Sequence, residues 1–252
     1  QYTSAASYPY PPDAVISMMD RNGVAMALVS STPDEGTIAL WKHAPNRIIP
    51  EMRPYTEHLG QHNWTKGEGI GAYIEQRLQQ YPHEGIGEFH IHEIDRNDDP
   101  LMQKIVALAM DKAIPLHVHS GHEPIDDLYA LDPGLTIIWG HAGMDEPPEI
   151  VASMMERYPT LYADTSYREG DILSDSEGID PQWRELLERF SDRFMLGSDT
   201  WGNDQWEDYD EMMADNRRWL AYLTNKTAHK IAYQNAERLF NRTINAQLIG
   251  TR

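Results

Sequence analysis

The chain contains no cysteine. That removes disulfides, thiolate metal sites and cysteine nucleophiles from consideration. No apolar run approaches the roughly 18 residues a membrane-spanning helix needs, and no secretory leader is visible. There is no G-x-G-x-x-G, no P-loop and no G-x-S-x-G, so dinucleotide, nucleotide and serine-hydrolase readings have no motif to rest on. Gly67-Glu68-Gly69-Ile70-Gly71 is glycine-rich but follows no expected strand. Basic residues are scarce: 21 Lys and Arg stand against 40 Asp and Glu, a net charge of −19. A phosphate backbone attracts the opposite sign, which argues against nucleic acid as a partner. An acidic surface mainly keeps a protein soluble. The expected partner is a small-molecule substrate, without membrane or nucleic acid, and homo-oligomer formation stays open. The cytoplasm is the favoured location, with the periplasm as the alternative should a leader precede Gln1.

What the chain does have is length and regular alternation. Its 252 residues, 40% of them hydrophobic, match a single (β/α)8 TIM barrel of about 250 residues. Apolar, β-branched runs alternate with amphipathic stretches. Strands are expected at Val24–Val29, Arg47–Arg53, Gly85–His90, Ile114–His119, Leu135–Trp139, Leu161–Asp164 and Phe194–Gly197. Helical patterns lie between them, and closing helices run from about 206 to 240. Such alternation means parallel strands with right-handed crossovers. Polar residues gather at the strands' C-terminal ends, which favours a barrel over a doubly wound sheet. A barrel needs eight strands and seven are visible, so the first is expected before or around Gln1, truncated or missing. Residues 1–252 are read as one domain.

Seven of the 11 histidines fall between 83 and 141. His90 and His92 are two apart, as are His117 and His119, which puts each pair on one face of a strand. Glu88 shares parity with His90. Imidazoles and a carboxylate on one barrel axis would be costly unless paired, and a metal ion is the usual reason to gather them. Taken singly, His119, His141 and Asp199 have plain readings as a hydrogen-bonded core histidine, a strand-end histidine and a helix N-cap. Taken together, His, His and Asp at three strand ends suit a divalent cation such as Zn²⁺. Glu88 is either a further ligand or the partner of a structural ion pair with Arg53. His90 and His117 are read as substrate contacts or as donors that orient a ligand. Arg53 and Arg168, just past strands, suit a substrate carboxylate; with 40 acidic residues available, a salt bridge is the competing reading. Trp139, Trp201 and Tyr167 either wall the pocket or simply pack. His83, His92 and His122 are assigned to the rim or surface.

These segments resemble the amidohydrolase superfamily, in the amidohydrolase-2 group of metal-dependent barrel hydrolases, which includes aminocarboxymuconate semialdehyde decarboxylase. The resemblance rests on Gly85-Ile86-Gly87-Glu88-Phe89-His90, Pro115-Leu116-His117-Val118-His119-Ser120-Gly121, Ile138-Trp139-Gly140-His141-Ala142-Gly143, Arg193-Phe194-Met195-Leu196-Gly197-Ser198-Asp199-Thr200 and Asn235-Ala236-Glu237-Arg238-Leu239-Phe240. It implies a metal-dependent hydrolase attacking an ester, lactone or amide with activated water, or a non-oxidative decarboxylase on the same site. It implies His119 as a metal ligand, His141 as binding the metal or holding the attacking water, Asp199 as ligand and general base, and Glu88 at a bridging position. The family's first-strand His-x-His is not found before Pro11. Either it lies upstream or Gln1 stands in place of its second histidine, and in both cases cation occupancy is in question. A barrel that binds without catalysis is the third reading.

Overall fold

The computed structural model describes residues 2–3, 10–92, 99–174 and 178–244. The short strands are β1 (Tyr2–Thr3), β2 (Ala27–Val29 continued by Ser31–Thr32), β3 (Ile48–Pro50), β4 (Ile86–His90), β5 (Leu116–His119), β6 (Ile137–Trp139), β7 (Leu161–Asp164) and β8 (Phe194–Met195). All their pairings are parallel. Tyr2 pairs with Ser31, Ala27 with Ile48, Met52 just past β3 with Ile86, Leu116 with Ile86 and Ile137, Ile137 with Leu161, and Phe194 with Ala163. The ladder therefore follows chain order from β1 to β8, as the alternation predicts. A backbone pair between β8 and β1 is not found among the described residues.

The core shows how the ends meet. Leu28 of β2, Ile49 of β3, Ile138 of β6, Tyr162 of β7 and Met195 of β8 share one cluster with Phe240. Side chains from both halves of the ladder can meet there only across a barrel interior. Their neighbours along the strands, such as Ile48, Ile137, Leu161 and Phe194, are fully buried. Alternation of period two sends one set inward and the other towards the helices. The fold is a TIM barrel.

Helices α1 (Pro12–Arg21), α2 (Glu35–His43), α3 (Ile70–Gln80), α4 (Pro100–Lys112), α5 (His122–Leu131), α6 (Pro148–Arg157), α7 (Glu169–Ile172) and α8 (Pro181–Arg189) lie between or after the strands. Four of these, α1, α4, α6 and α8, open with proline in the first turn, where its missing N–H is no loss. Asp99 and Asp180 cap α4 and α8, accepting from Met102 N–H at 2.9 Å and Trp183 N–H at 3.0 Å. The closing region divides into α9 (Asn203–Glu207), α10 (Tyr209–Leu220), α11 (Asn225–His229) and α12 (Asn235–Leu239), with a π-helical turn at Lys230–Gln234.

One strand departs from plain alternation. Ile86 and Phe89 are both fully buried with the helix-facing core, and the β4–β5 register shifts between them. The extra residue lets Glu88 and His90 share the interior face, because a bulge re-aims the side chains that follow it. Gly87 (φ 153°) permits this approach: a Cβ there would lie 2.3 Å from the His117 carbonyl oxygen.

Candidate active site

Beyond the apolar interior cluster, the same strand faces turn polar. Ile49 is followed at two-residue intervals by Glu51 and Arg53, Tyr162 by Asp164 and Ser166, and Met195 by Gly197 and Asp199. These are the C-terminal ends of the strands, where barrel enzymes build their sites. His141 (φ 55°), Tyr167 (φ 59°) and Asp199 (φ 39°) follow β6, β7 and β8 in the left-handed region. That region is uncommon for residues with a side chain and recurs where a site requires it.

Three strand ends converge on one point. Glu88 Oε1 lies 2.7 Å from His119 Nδ1 and 3.1 Å from His141 Nε2, and the two imidazole nitrogens are 3.0 Å apart. Asp199 Oδ2 is 3.8 Å from His141 Nε2. Glu88 and His141 are buried and His119 is half-buried. Burial alone would push Glu88 up, but hydrogen bonds from His119 and His141 outweigh it and hold the carboxyl well below the usual range. Burial pushes His141 down, yet Glu88, Asp164 and Asp199 raise it to about 9. Asp199 is raised to about 6 by burial and by the charge of Glu88.

These atoms could hold a metal ion. The ligand atoms of Glu88, His119 and His141 all lie within 4.8 Å of one another. A tetrahedral cation with bonds of about 2.0–2.1 Å sets its ligands roughly 3.3 Å apart. The observed 2.7–3.1 Å separations are a few tenths of an ångström tighter, as proton-bridged contacts are. Imidazole nitrogen with carboxylate oxygen is the donor chemistry of a borderline divalent cation.

A second layer holds His141. Its Nδ1 lies 2.9 Å from Ser166 Oγ and 3.2 Å from the Ser166 carbonyl oxygen, while its backbone N–H donates to Asp164 Oδ2 at 3.2 Å. Ser166 donates to Asp164 Oδ1 through its hydroxyl, and through its backbone N–H at 2.9 Å. His117 spans the interior, with Nδ1 3.2 Å from Glu51 Oε2 and Nε2 3.2 Å from Asp164 Oδ2.

The other expected residues fall into two groups. His90 lies beside the cluster, its ring stacked on His119 at 3.8 Å between centroids. Tyr55 accepts from His90 N–H at 2.9 Å, and its hydroxyl lies 2.8 Å from His90 Nδ1. Burial and the charge of His119 push His90 down to about 3, so that ring is neutral. Arg53 is buried, with its guanidinium over the Tyr55 ring at 4.6 Å, and its Nε has no hydrogen-bond partner among the described residues. Arg168 is engaged elsewhere: it stacks over Trp183 at 4.7 Å, donates to the Glu146 carbonyl at 2.7 Å and pairs with Asp171 at 3.1 Å. His117 is occupied by Glu51 and Asp164. Of the proposed aromatic walls, Trp139 is fully buried and donates to the Ser120 carbonyl at 2.8 Å, while Tyr167 and Trp201 are exposed.

The rim assignments divide as well. His92 is exposed, and half-buried His122 meets Glu146 Oε1 at 2.6 Å. His83 corrects the reading: its side chain is fully buried, with Nε2 3.0 Å from Asp34 Oδ1. Asp34 is itself fully buried and draws in His83 and Arg77 as donors. Gln1 lies outside the described residues. Tyr55, Asp164 and Ser166 escape sequence reading, because a lone Tyr, Asp or Ser after a strand looks like any turn residue.

Residues 66–242 match the family model described as Amidohydrolase. That is well over half of the chain, and the chain belongs to the amidohydrolase family. It is an enzyme of the amidohydrolase type. Solved structures share its architecture. An uncharacterised TIM-barrel protein from Bordetella bronchiseptica is 15% identical with a TM-score of 0.66, over 91% of this chain and 82% of that one. The phosphotriesterase homology protein from Escherichia coli, with phosphate in its active site, is 12% identical with a TM-score of 0.64, over 91% and 89%. A probable 2-pyrone-4,6-dicarboxylic acid hydrolase from Acinetobacter baumannii, with citric acid bound, is 12% identical with a TM-score of 0.53, over 95% and 94%. At such identities the likeness speaks for the fold alone. No curated protein matches the chain.

Proposed function

We propose that this enzyme is a metal-dependent hydrolase of the ester, lactone or amide bond of a small, carboxylate-bearing substrate. In this reading Glu88, His119, His141 and Asp199 hold one divalent cation, Zn²⁺ in the first instance. The observation that carries it is the meeting of one carboxylate oxygen and two imidazole nitrogens, within 4.8 Å of one another, from three different strand ends. These donors would hold a cation whose chemistry would be to lower the pKa of a water from about 15.7 to roughly 7 and to act as a Lewis acid.

The chain's own residues supply the rest. Asp199, raised to about 6, is the general base: near neutral pH it is ionised, and Oδ2 receives the proton of the attacking water. The same proton then passes to the leaving oxygen or nitrogen, so that water and substrate give an acid and an alcohol or amine. His141 keeps Nε2 turned to the centre. Arg53 binds a substrate carboxylate, because its buried guanidinium has an Nε without a partner among the described residues. His90, neutral and stacked on His119, also touches Tyr55, the ring over which Arg53 lies. The dicarboxylic acid in the name of the Acinetobacter baumannii hydrolase, and the citric acid bound to it, agree with an anionic substrate.

Zn²⁺ titration of the metal-stripped protein, followed by assay against a panel of small carboxylate-bearing lactones, esters and amides, tests this. Stoichiometric uptake and hydrolysis are expected, with Asp199→Asn slowing turnover by about 10²–10⁴-fold. Substoichiometric uptake, or an unchanged rate in that variant, overturns the reading. Release of CO₂ in place of a hydrolysis product would replace the hydrolase with a lyase on the same donors.

A further inference from the structure

The interior polar layer contains more than the cation donors need. Its hydrogen bonds have directions that the chemistry fixes. A carboxylate only accepts. Ser166 Oγ, in contact with Asp164 Oδ1, must therefore donate its one hydroxyl proton there. What Oγ offers His141 Nδ1, 2.9 Å away, is a lone pair. The Ser166 carbonyl, 3.2 Å from the same nitrogen, is also only an acceptor. Both contacts demand a proton on Nδ1, which leaves Nε2 as the nitrogen that faces Glu88 and His119.

Asp164 is held in turn. Its Oδ2 accepts from the His141 backbone N–H and from His117 Nε2, both at 3.2 Å. The other nitrogen of His117 faces Glu51 Oε2 at 3.2 Å, so both ring nitrogens donate and the ring is clamped across the interior. The neighbouring strand, β8, makes room for this arrangement. A Cβ on Gly197 would lie 2.6 Å from Asp164 Oδ1 and 3.0 Å from Ser166 Cβ, so a larger residue would displace the pair.

We propose that Asp164 and Ser166 are positioning residues that hold the Nδ1 proton and the ring orientation of His141, and that His117 acts through Asp164 as their anchor rather than as a substrate contact. The chain Glu51–His117–Asp164–Ser166–His141 joins β3, β5, β7 and β6 through the interior. It presents Nε2 at a set place before any ligand arrives, which is what an outer layer does for a ligating imidazole. This rests on the reading of His141 as a cation ligand only for its consequence in binding; the held Nδ1 proton and ring orientation are properties of the protein alone.

The test uses Ser166→Ala, Ser166→Thr, Asp164→Asn and Gly197→Ala in the full chain, with two readouts. The first is Co²⁺ titration followed by visible absorption. Ser166→Ala and Asp164→Asn are expected to lose roughly 10–100-fold in affinity and to change the shape of the ligand-field bands. Ser166→Thr, which keeps the hydroxyl, restores both, and Gly197→Ala behaves like Ser166→Ala. The second is the hydrogen-exchange rate of the His141 ring N–H, followed by ¹⁵N NMR without metal. Nδ1 is expected to carry a proton that exchanges slowly in the parent and faster in Ser166→Ala. Should the parent bind no Co²⁺, the hydrolase reading fails and the exchange experiment still judges this one. A proton found on Nε2 alone, or equal exchange in parent and Ser166→Ala, overturns it. Parent-like Co²⁺ affinity and spectrum in both Ser166→Ala and Asp164→Asn overturn it as well.

Discussion

His119 Nδ1 lies 2.7 Å from Glu88 Oε1, although the two residues stand 31 positions apart on neighbouring strands. A bulge at Gly87–Glu88 makes the meeting possible, because it brings Glu88 onto the interior face that His119 already occupies by parity. Glu88→Gln is therefore expected to keep the barrel and lose the centre. A neutral amide both removes the anion and turns N–H groups towards the imidazoles. Zn²⁺ affinity measured by calorimetry should fall by at least about 100-fold, beyond the 10–100-fold typical of an outer-layer change. Parent-like affinity would remove Glu88 from the ligand set.

Cation uptake should depend on pH in a stated direction. Without metal, burial lowers His141 but Glu88, Asp164 and Asp199 raise it to about 9, so its ring carries two protons at neutral pH. A cation on Nε2 displaces one of them. Below pH 9 the proton competes more strongly, so affinity falls as pH falls, by about tenfold per unit for a one-proton exchange. Calorimetry in buffers of different ionisation enthalpy reads the proton count directly. A pH-independent affinity between 6 and 9 would contradict the exchange.

Arg53 distinguishes substrates by charge. A charge-assisted hydrogen bond is worth about 1.5–3 kcal/mol, or roughly 10- to 100-fold in binding. Arg53→Gln should raise KM by that factor for a carboxylate-bearing substrate and leave kcat nearly unchanged. For the neutral methyl ester of the same compound the change should be small. Equal effects on both compounds would show that Arg53 does not read the carboxylate.

Away from the site, Asp34 is fully buried against Arg77 and His83. Arg77→Met leaves that carboxylate with one donor fewer, a change that costs about 3–5 kcal/mol when a buried pair is broken. Urea unfolding should show the loss, while Zn²⁺ affinity per folded molecule stays at the parent value. A shift below about 1 kcal/mol would mean that His83 alone satisfies Asp34.

Much of this was legible in the chain. The strands around Ile49, Phe89, Val118, Ile138, Ala163 and Phe194 are readable because short apolar runs alternate with amphipathic ones. His119, His141 and Asp199 stood out because each closes such a run at the barrel's working end. His83 reads as a rim residue in the sequence because its partner, Asp34, lies 49 positions away. Arg168 has the same local pattern as Arg53, and its contacts with Trp183, Glu146 and Asp171 separate the two.

The amino-acid order by itself determined the periodicities: which segments pair as parallel strands, and which residues share a face, since both follow from local backbone geometry. Tertiary structure alone decided which of those faces meet. The direction of each hydrogen bond around His141 depends on Asp164 and Ser166 arriving from another strand. The fate of each buried charge depends on the partner that burial brings within reach, and a one-dimensional pattern carries no such distance.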